Sequence, residues 1–266
     1  MKRVVLFLMV FGMATTFAFC QKKETRPVSG FTGIDASSVF DITVAKGNTE
    51  SLTIEADNEV MPYVRSEVQN GVLHLYLDNK KDIRDIKLLK ATLVMKDLDN
   101  VSLSGACKLT AGDLFTPDKF KAGCSGASKL TVSLITKQLG VEMSGASQIQ
   151  IKANVSGDTN INASGTSKIQ GELKTGNINF DSSGACSIEL TGSSTDMKVN
   201  SSGTSNLNAK NFPVKTATVE ASGISKVTVN VIDALNVNSS GLSTVNYTGS
   251  STIVLNSSKG AHINKI

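Results

Sequence analysis

Between residues 104 and 241 eight Ser-Gly pairs recur at almost constant intervals, with a ninth, Ser156-Gly157, outside the rhythm. The eight glycines are Gly105, Gly126, Gly145, Gly165, Gly184, Gly203, Gly223 and Gly241, spaced 21, 19, 20, 19, 19, 20 and 18 residues apart. The second residue after each is Ser or Cys, and the fourth is a branched aliphatic, from Leu109 to Val245. Four residues before each glycine stand Val101, Ala122, Val141, Ile161, Phe180, Val199, Val219 and Val237. Apolar residues that alternate with polar ones mark strands, whereas a helix would repeat them every three to four positions. Each unit therefore reads as strand, Ser-Gly corner, strand.

A unit of this size cannot fold alone, but stacked copies bury a continuous apolar column and pair their backbones coil to coil. The expected fold is all-β: a parallel β-helix, or solenoid, with coils of about 19 residues. Coils stacked at about 4.8 Å put the eight glycines on a line roughly 34 Å long. Glycine suits such a corner because it accepts positive φ and lets backbones approach, and the neighbouring serines can hydrogen-bond the turn. That role explains the repeated serines without a nucleophile, and no Gly-x-Ser-x-Gly motif occurs. Three residues after the glycines runs a broken lysine row, Lys108, Lys129, Lys168 and Lys226, which reads as a solvated face. Five residues after them runs a polar ladder from Thr110 to Asn246.

The N-terminus reads as a signal peptide over residues 1–20: Met1-Lys2-Arg3, then an uncharged apolar run from Val4 to about Phe19. Cys20 closes that run and is the expected lipid-attachment residue of a bacterial lipoprotein, although the bulky Phe19 departs from the usual small residue before such a cysteine. Ordinary cleavage near Ala18 or Cys20 is the rival. A lipid anchor would hold an otherwise soluble chain to the membrane, and the expected location is the bacterial cell envelope, as an outer-membrane lipoprotein facing the periplasm or the surface. Without residues 1–20 the chain carries 25 basic against 23 acidic residues, a net charge of +2. Nucleic-acid binding needs a clustered basic face on a strongly basic domain, so no nucleic-acid partner is expected.

Residues 26–100 lack the Ser-Gly mark but alternate in β fashion in Val39–Val44, Ser51–Glu55 and Val72–Leu77, with Asn70-Gly71 as a tight-turn signal. They are expected to form N-terminal coils or a cap continuous with the regular solenoid of residues 101–266, since terminal repeats are atypical. Ile253-Val254-Leu255 reads as the last strand, with Lys259, His262 and Lys265 discouraging edge pairing.

The segments Val28-Ser29-Gly30-Phe31-Thr32-Gly33-Ile34-Asp35, Phe40-Asp41-Ile42-Thr43-Val44 with Gly47, and Ile54-Glu55-Ala56-Asp57-Asn58 resemble the putative auto-transporter adhesin, head GIN domain family. The Ser-Gly-Ala-Ser and Ser-Gly-Thr-Ser corners are similar to that family's glycine-serine turns, and the likeness covers about residues 28 to 256. It implies a right-handed β-helical surface or periplasmic protein of Bacteroidetes-type bacteria, with no catalytic residues to carry over.

Candidate chemistry is sparse. His74 and His262 are the only histidines, so no multi-histidine metal site is expected, and His74 reads as an outward strand residue. Asp57, Asn58 and Glu59, and Asp97 with Asp99, lack calcium-loop spacing and read as polar turns. Cys107, Cys124 and Cys186 are odd in number; Cys107 and Cys124 fall in different columns of the repeat and read as small buried thiols. No cofactor, metal or catalytic residue is expected, and ligand-binding residues are not identifiable. The leading reading is a non-enzymatic exported envelope protein, adhesin-like, that presents a repetitive surface to an envelope or extracellular partner. A polysaccharide-active β-helix enzyme and a passive periplasmic structural module are the alternatives. The nine aromatic residues beyond position 20, with no tryptophan, leave few stacking platforms for sugars.

Overall fold

The computed structural model describes residues 21–78 and 85–266; the expected signal peptide and Cys20 lie outside them. Two rows of strands run the length of a parallel β-solenoid and meet at the column of corners. One row holds the strands that enter each corner, such as Gln138–Met143, Asp158–Ala163 and Asn177–Ser182. The other holds the strands that leave it, such as Lys129–Thr136, Gln148–Val155 and Lys168–Lys174. Pairing is parallel and in register with the repeat, so that Ile149 lies opposite both Leu130 and Ile169. Nearer the C-terminus a leaving strand runs on into the next entering strand, giving the long strands Ser187–Ser201, Asn206–Ala221 and Lys226–Ser239. Every aliphatic four residues after a corner glycine is buried, as are all six phenylalanines from Phe31 to Phe212. That burial follows from the period of two, which sends alternate side chains into the shared core.

The corners stack as the spacing predicts. Ala127 N–H donates to Gly105 O at 2.7 Å and Ala146 N–H to Gly126 O at 2.7 Å, and the same bond recurs up to Leu242 N–H on Gly223 O. Gly126 has φ +67°, and a Cβ there would stand 2.4 Å from the Gly105 carbonyl oxygen, so both conformation and close approach demand glycine.

The stack begins one coil earlier than the glycines do. Ser38, with φ +83°, holds the same corner, and Ala106 N–H donates to its carbonyl at 2.7 Å. Its flanking strands Gly33–Ala36 and Asp41–Lys46 pair in parallel with Asn100–Leu103 and Lys108–Phe115. On the opposite side they pair in parallel with Val72–Leu77 and Leu89–Met95. Chain order and stacking order therefore differ here: the first coil is sandwiched between strands that come later in the sequence. Antiparallel strands then close this end. Ser51–Asp57 lies on Leu89–Met95, Gln21–Arg26 on Ser51–Asp57, and Val64–Gln69 on Val72–Leu77 through a turn in which Asn70 and Gly71 both have positive φ. The outermost strand carries Lys22, Lys23, Glu24 and Arg26, charges that blunt an exposed edge.

The expected last strand is observed as Thr252–Ser257, but it is not the last. A turn containing Gly260, with φ +100°, sends the chain back to the leaving row, where His262–Lys265 pairs in parallel with Thr244–Thr248. The turn was hidden because its glycine follows Lys259 instead of a serine.

Candidate functional site

The corner dictates what lies around it. The buried serine two residues after the glycine turns back and donates to the carbonyl just before the glycine: Ser147 to Ser144 O at 3.0 Å, Ser205 to Ser202 O at 2.9 Å, Ser243 to Ser240 O at 2.7 Å. Cys186 replaces one such serine and makes the same contact with Ser183 O at 3.0 Å. The serine before the glycine points the other way, as when Ser164 Oγ donates to Met143 O of the preceding coil at 3.0 Å. The column after the glycine is thus largely occupied with turn backbone, although Ser128 Oγ is buried without a partner, and in the column before it Ser125, Ser164 and Ser202 bond the preceding coil.

Alongside the corner, on the outer side of the entering strands, an open groove of about 1440 Å³ runs across nine coils. It is lined by the last three residues before each corner, and at the rung spacing it is roughly 38 Å long. Its outward column, three residues before each Ser-Gly glycine, starts at Ser102 and Gly123, continues as Glu142, Asn162, Asp181, Asn200, Glu220 and Asn238, and ends at Asn256, which pairs with Asn238. Parallel pairing places these side by side: Glu142 opposite Asn162, Asn162 opposite Asp181, Asp181 opposite Asn200, Asn200 opposite Glu220, Glu220 opposite Asn238. Carboxylates and amides alternate, so like charges stand two rungs apart, about 9.6 Å. Asn200 Nδ2 donates to Asp181 Oδ1 at 2.6 Å and Asn256 Nδ2 to Asn238 Oδ1 at 3.1 Å, an amide ladder along the axis. Among the described residues no lysine or arginine lines the groove.

The sequence left this column unremarked because no single residue type repeats in it; the signal was polar identity at a fixed offset from the glycine. The lysine row lies on the other side of the corner, in the leaving strands, exposed, with Lys108 Nζ 3.5 Å from Asp41 Oδ1. His74 is half-buried on the outward face, its Nδ1 3.1 Å from Asp35 Oδ2. Asp57 serves as a turn residue, its Oδ2 accepting the backbone N–H groups of Lys87 and Leu88 at 2.8 and 3.0 Å. Asp97 likewise accepts the Leu98 N–H. Among the described residues no group of three metal-ligating side chains converges. Cys107, Cys124 and Cys186 are buried and free, and burial pushes the thiols of Cys107 and Cys124 up to about 11 and raises that of Cys186.

Residues 30–157 and 152–251 match the family model described as putative auto-transporter adhesin, head GIN domain. The chain belongs to this family. Solved structures share the family fold at low identity. A putative adhesin from Parabacteroides distasonis matches with a TM-score of 0.72 at 17% identity, covering 94% of this chain and 98% of its own. One from Parabacteroides merdae gives 0.69 at 17% identity over 92% and 96%. A further structure from Parabacteroides distasonis, described as a putative lipid binding protein, gives 0.68 at 15% identity over 92% and 96%. Among curated proteins none matches the chain. Among the described residues no helix is long and apolar enough to cross a membrane.

Proposed function

We infer that this family member is an exported, adhesin-like protein of the bacterial envelope that binds a partner and does not transform it, and that the groove beside the corner column is its contact surface. The observation that carries this reading is the groove itself: nine coils contribute equivalent polar positions to one continuous channel, the shape suited to an extended partner. Membership of an adhesin family supports the envelope location and the binding role. Hydrolysis of a glycosidic bond needs two carboxyl groups flanking that bond, about 5 to 9.5 Å apart. The groove's three carboxylates instead stand in one column on one face, and among the described residues no carboxylate lines the groove opposite them. Lipidation at Cys20 after removal of residues 1–19 would tether the solenoid by its closed end and leave the groove free along its length.

The test is photo-crosslinking in intact cells. With p-benzoylphenylalanine in place of Ser202, inside the groove, a discrete cross-linked species is expected; in place of Thr110, on the leaving row, none is expected. Equal cross-linking from both positions, or none from Ser202, overturns the assignment of the groove. Protection of the protein from added protease until lysis would place it behind the outer membrane instead of on the surface.

A further inference from the structure

We propose that the groove takes an extended cationic chain in the polyproline II conformation, with a basic side chain at every third residue; this rests on the groove being the contact surface. The spacing of the carboxylates carries the inference. Glu142, Asp181 and Glu220 occupy alternate rungs, and two rungs of a parallel stack span about 9.4 to 9.8 Å. A polyproline II chain has three residues per turn and a rise of 3.1 Å, so one of its edges repeats about every 9.3 Å. An extended β-strand repeats a face about every 6.6 to 6.8 Å and falls out of register with the acids after one step. Side chains at i, i+3 and i+6 of a polyproline II segment therefore meet all three carboxylates, and about twelve residues fill the groove from end to end.

Three further observations fit that occupant. Among the described residues none of the three carboxylates has an ion-pair partner, although seven other acidic side chains form ion pairs elsewhere, among them Glu55 with Lys23 and Glu172 with Lys152. Lys121 and Lys198, two residues upstream of the column, lie outside the groove lining. At the centre, Asn200 gives its amide hydrogen to Asp181, while its carboxamide oxygen is shielded from solvent and receives no hydrogen bond. Its neighbour on the next rung, Glu220, is a carboxylate with no hydrogen to give. A bound ammonium or guanidinium group supplies hydrogens to the exposed carboxylates of Asp181 and Glu220, the shielded Asn200 oxygen lying out of its reach. The amides of Asn162, Asn200 and Asn238 stand between the charges, where a polyproline II backbone, which makes no internal hydrogen bonds, presents its free carbonyls. Among the described residues no aromatic side chain lines the groove, which disfavours a glycan held by ring stacking.

The experiment titrates the protein lacking residues 1–20 with labelled (Lys-Pro-Pro)4, (Lys-Pro)6 and a glucosamine oligomer of matching length, following anisotropy at 50 and 150 mM salt. The expected result is that (Lys-Pro-Pro)4 binds at least tenfold more tightly than (Lys-Pro)6 despite its smaller charge, and that E142Q/D181N/E220Q weakens it at least tenfold without moving the thermal midpoint. D118N/E172Q, which removes acids outside the groove, leaves binding unchanged. Equal or tighter binding of (Lys-Pro)6 reduces the effect to bulk charge and overturns the inference. So does tighter binding of the glucosamine oligomer, or an E142Q/D181N/E220Q variant that binds as well as the parent. A cross-link formed through position 202 in cells while (Lys-Pro-Pro)4 fails to bind leaves the groove as contact surface and discards the cationic chain; loss of both discards both.

Discussion

The two ends of the solenoid solve the same problem differently. At the N-terminal end the chain leaves the stack after its first corner, lays Val72–Leu77 and Leu89–Met95 over that coil, and covers them with antiparallel strands. Leu73, Leu75 and Leu93, which would otherwise face the open end of the core, are completely buried. At the C-terminal end, among the described residues, no antiparallel strand covers the last coil. Leu255 occupies the inward column that holds Val199, Val219 and Val237, all fully buried, yet it is 45% exposed, and Val254 beside it is 58% exposed. A position in a solenoid is therefore not buried by facing inward; it is buried by having a coil on each side. The same comparison separates the corners, because the regular coils use glycine where the capped coil uses Ser38.

The largest effect is expected at the corner. Gly126→Ala places a Cβ at 2.4 Å from the Gly105 carbonyl and in a backbone conformation that side chains disfavour, so a loss of roughly 3 to 5 kcal/mol is expected in urea denaturation. Ser38→Gly, at the equivalent corner of the capped end, relieves positive-φ strain while adding freedom to the unfolded chain, and a change within about 1 kcal/mol is expected. A Gly126→Ala protein as stable as the parent would break the claim that the corner column fixes the stack.

The next contrast tests the rule that burial needs two neighbouring coils. Ile169 is 1% exposed with coils on both sides, and truncation to alanine is expected to cost about 2 to 5 kcal/mol. Leu255→Ala removes a side chain of similar size from an inward column at the open end and should cost about 1 kcal/mol or less, because much of its surface is already in water. Gln170, the outward neighbour of Ile169, shares a hydrogen bond with Gln150 at 3.1 Å and should tolerate alanine at under about 0.5 kcal/mol. A loss at Leu255 equal to that at Ile169 would mean that something covers the open end in solution.

What could be read in the sequence follows the same division. The regular coils were legible because one backbone demand, positive φ with close approach, can be met by only one residue type, and it recurs on schedule from Gly105 to Gly241. The strand Val72–Leu77 and its Asn70-Gly71 turn were legible from local alternation alone. Ser38 was not, since its corner lacks the glycine, and neither was the sandwiching of the first coil, since stacking order is set by long-range pairing that no local pattern records. The groove was invisible for a different reason. Outward positions satisfy only solvation, so Glu142, Asn162 and Asp181 can differ at equivalent places without cost to the core, and a column of function carries no repeated letter.

The smallest expected effect concerns the thiols, and it asks whether the capped end opens separately from the coils. Cys107 and Cys124 flank the first two glycine corners, next to the cap, while Cys186 lies mid-stack. The reactive form is the thiolate, and burial holds Cys107 and Cys124 protonated up to about pH 11, against an ordinary value of 9.0. Because these folded values are raised, the stability tied to the neutral thiols is complete below about pH 9 and is lost as pH rises through about 11. Iodoacetamide at pH 8 should therefore modify none of the three on the timescale in which a free thiol reacts fully, and modification should appear only with opening of the structure. Under mild urea, mass spectrometry of the labelled peptides orders the openings: the three cysteines reacting together shows one cooperative unit, as continuous pairing from the cap into the coils predicts. Cys107 reacting well ahead of Cys186 would show that the cap end unfolds by itself, and that the antiparallel closure is weaker than the stack it protects.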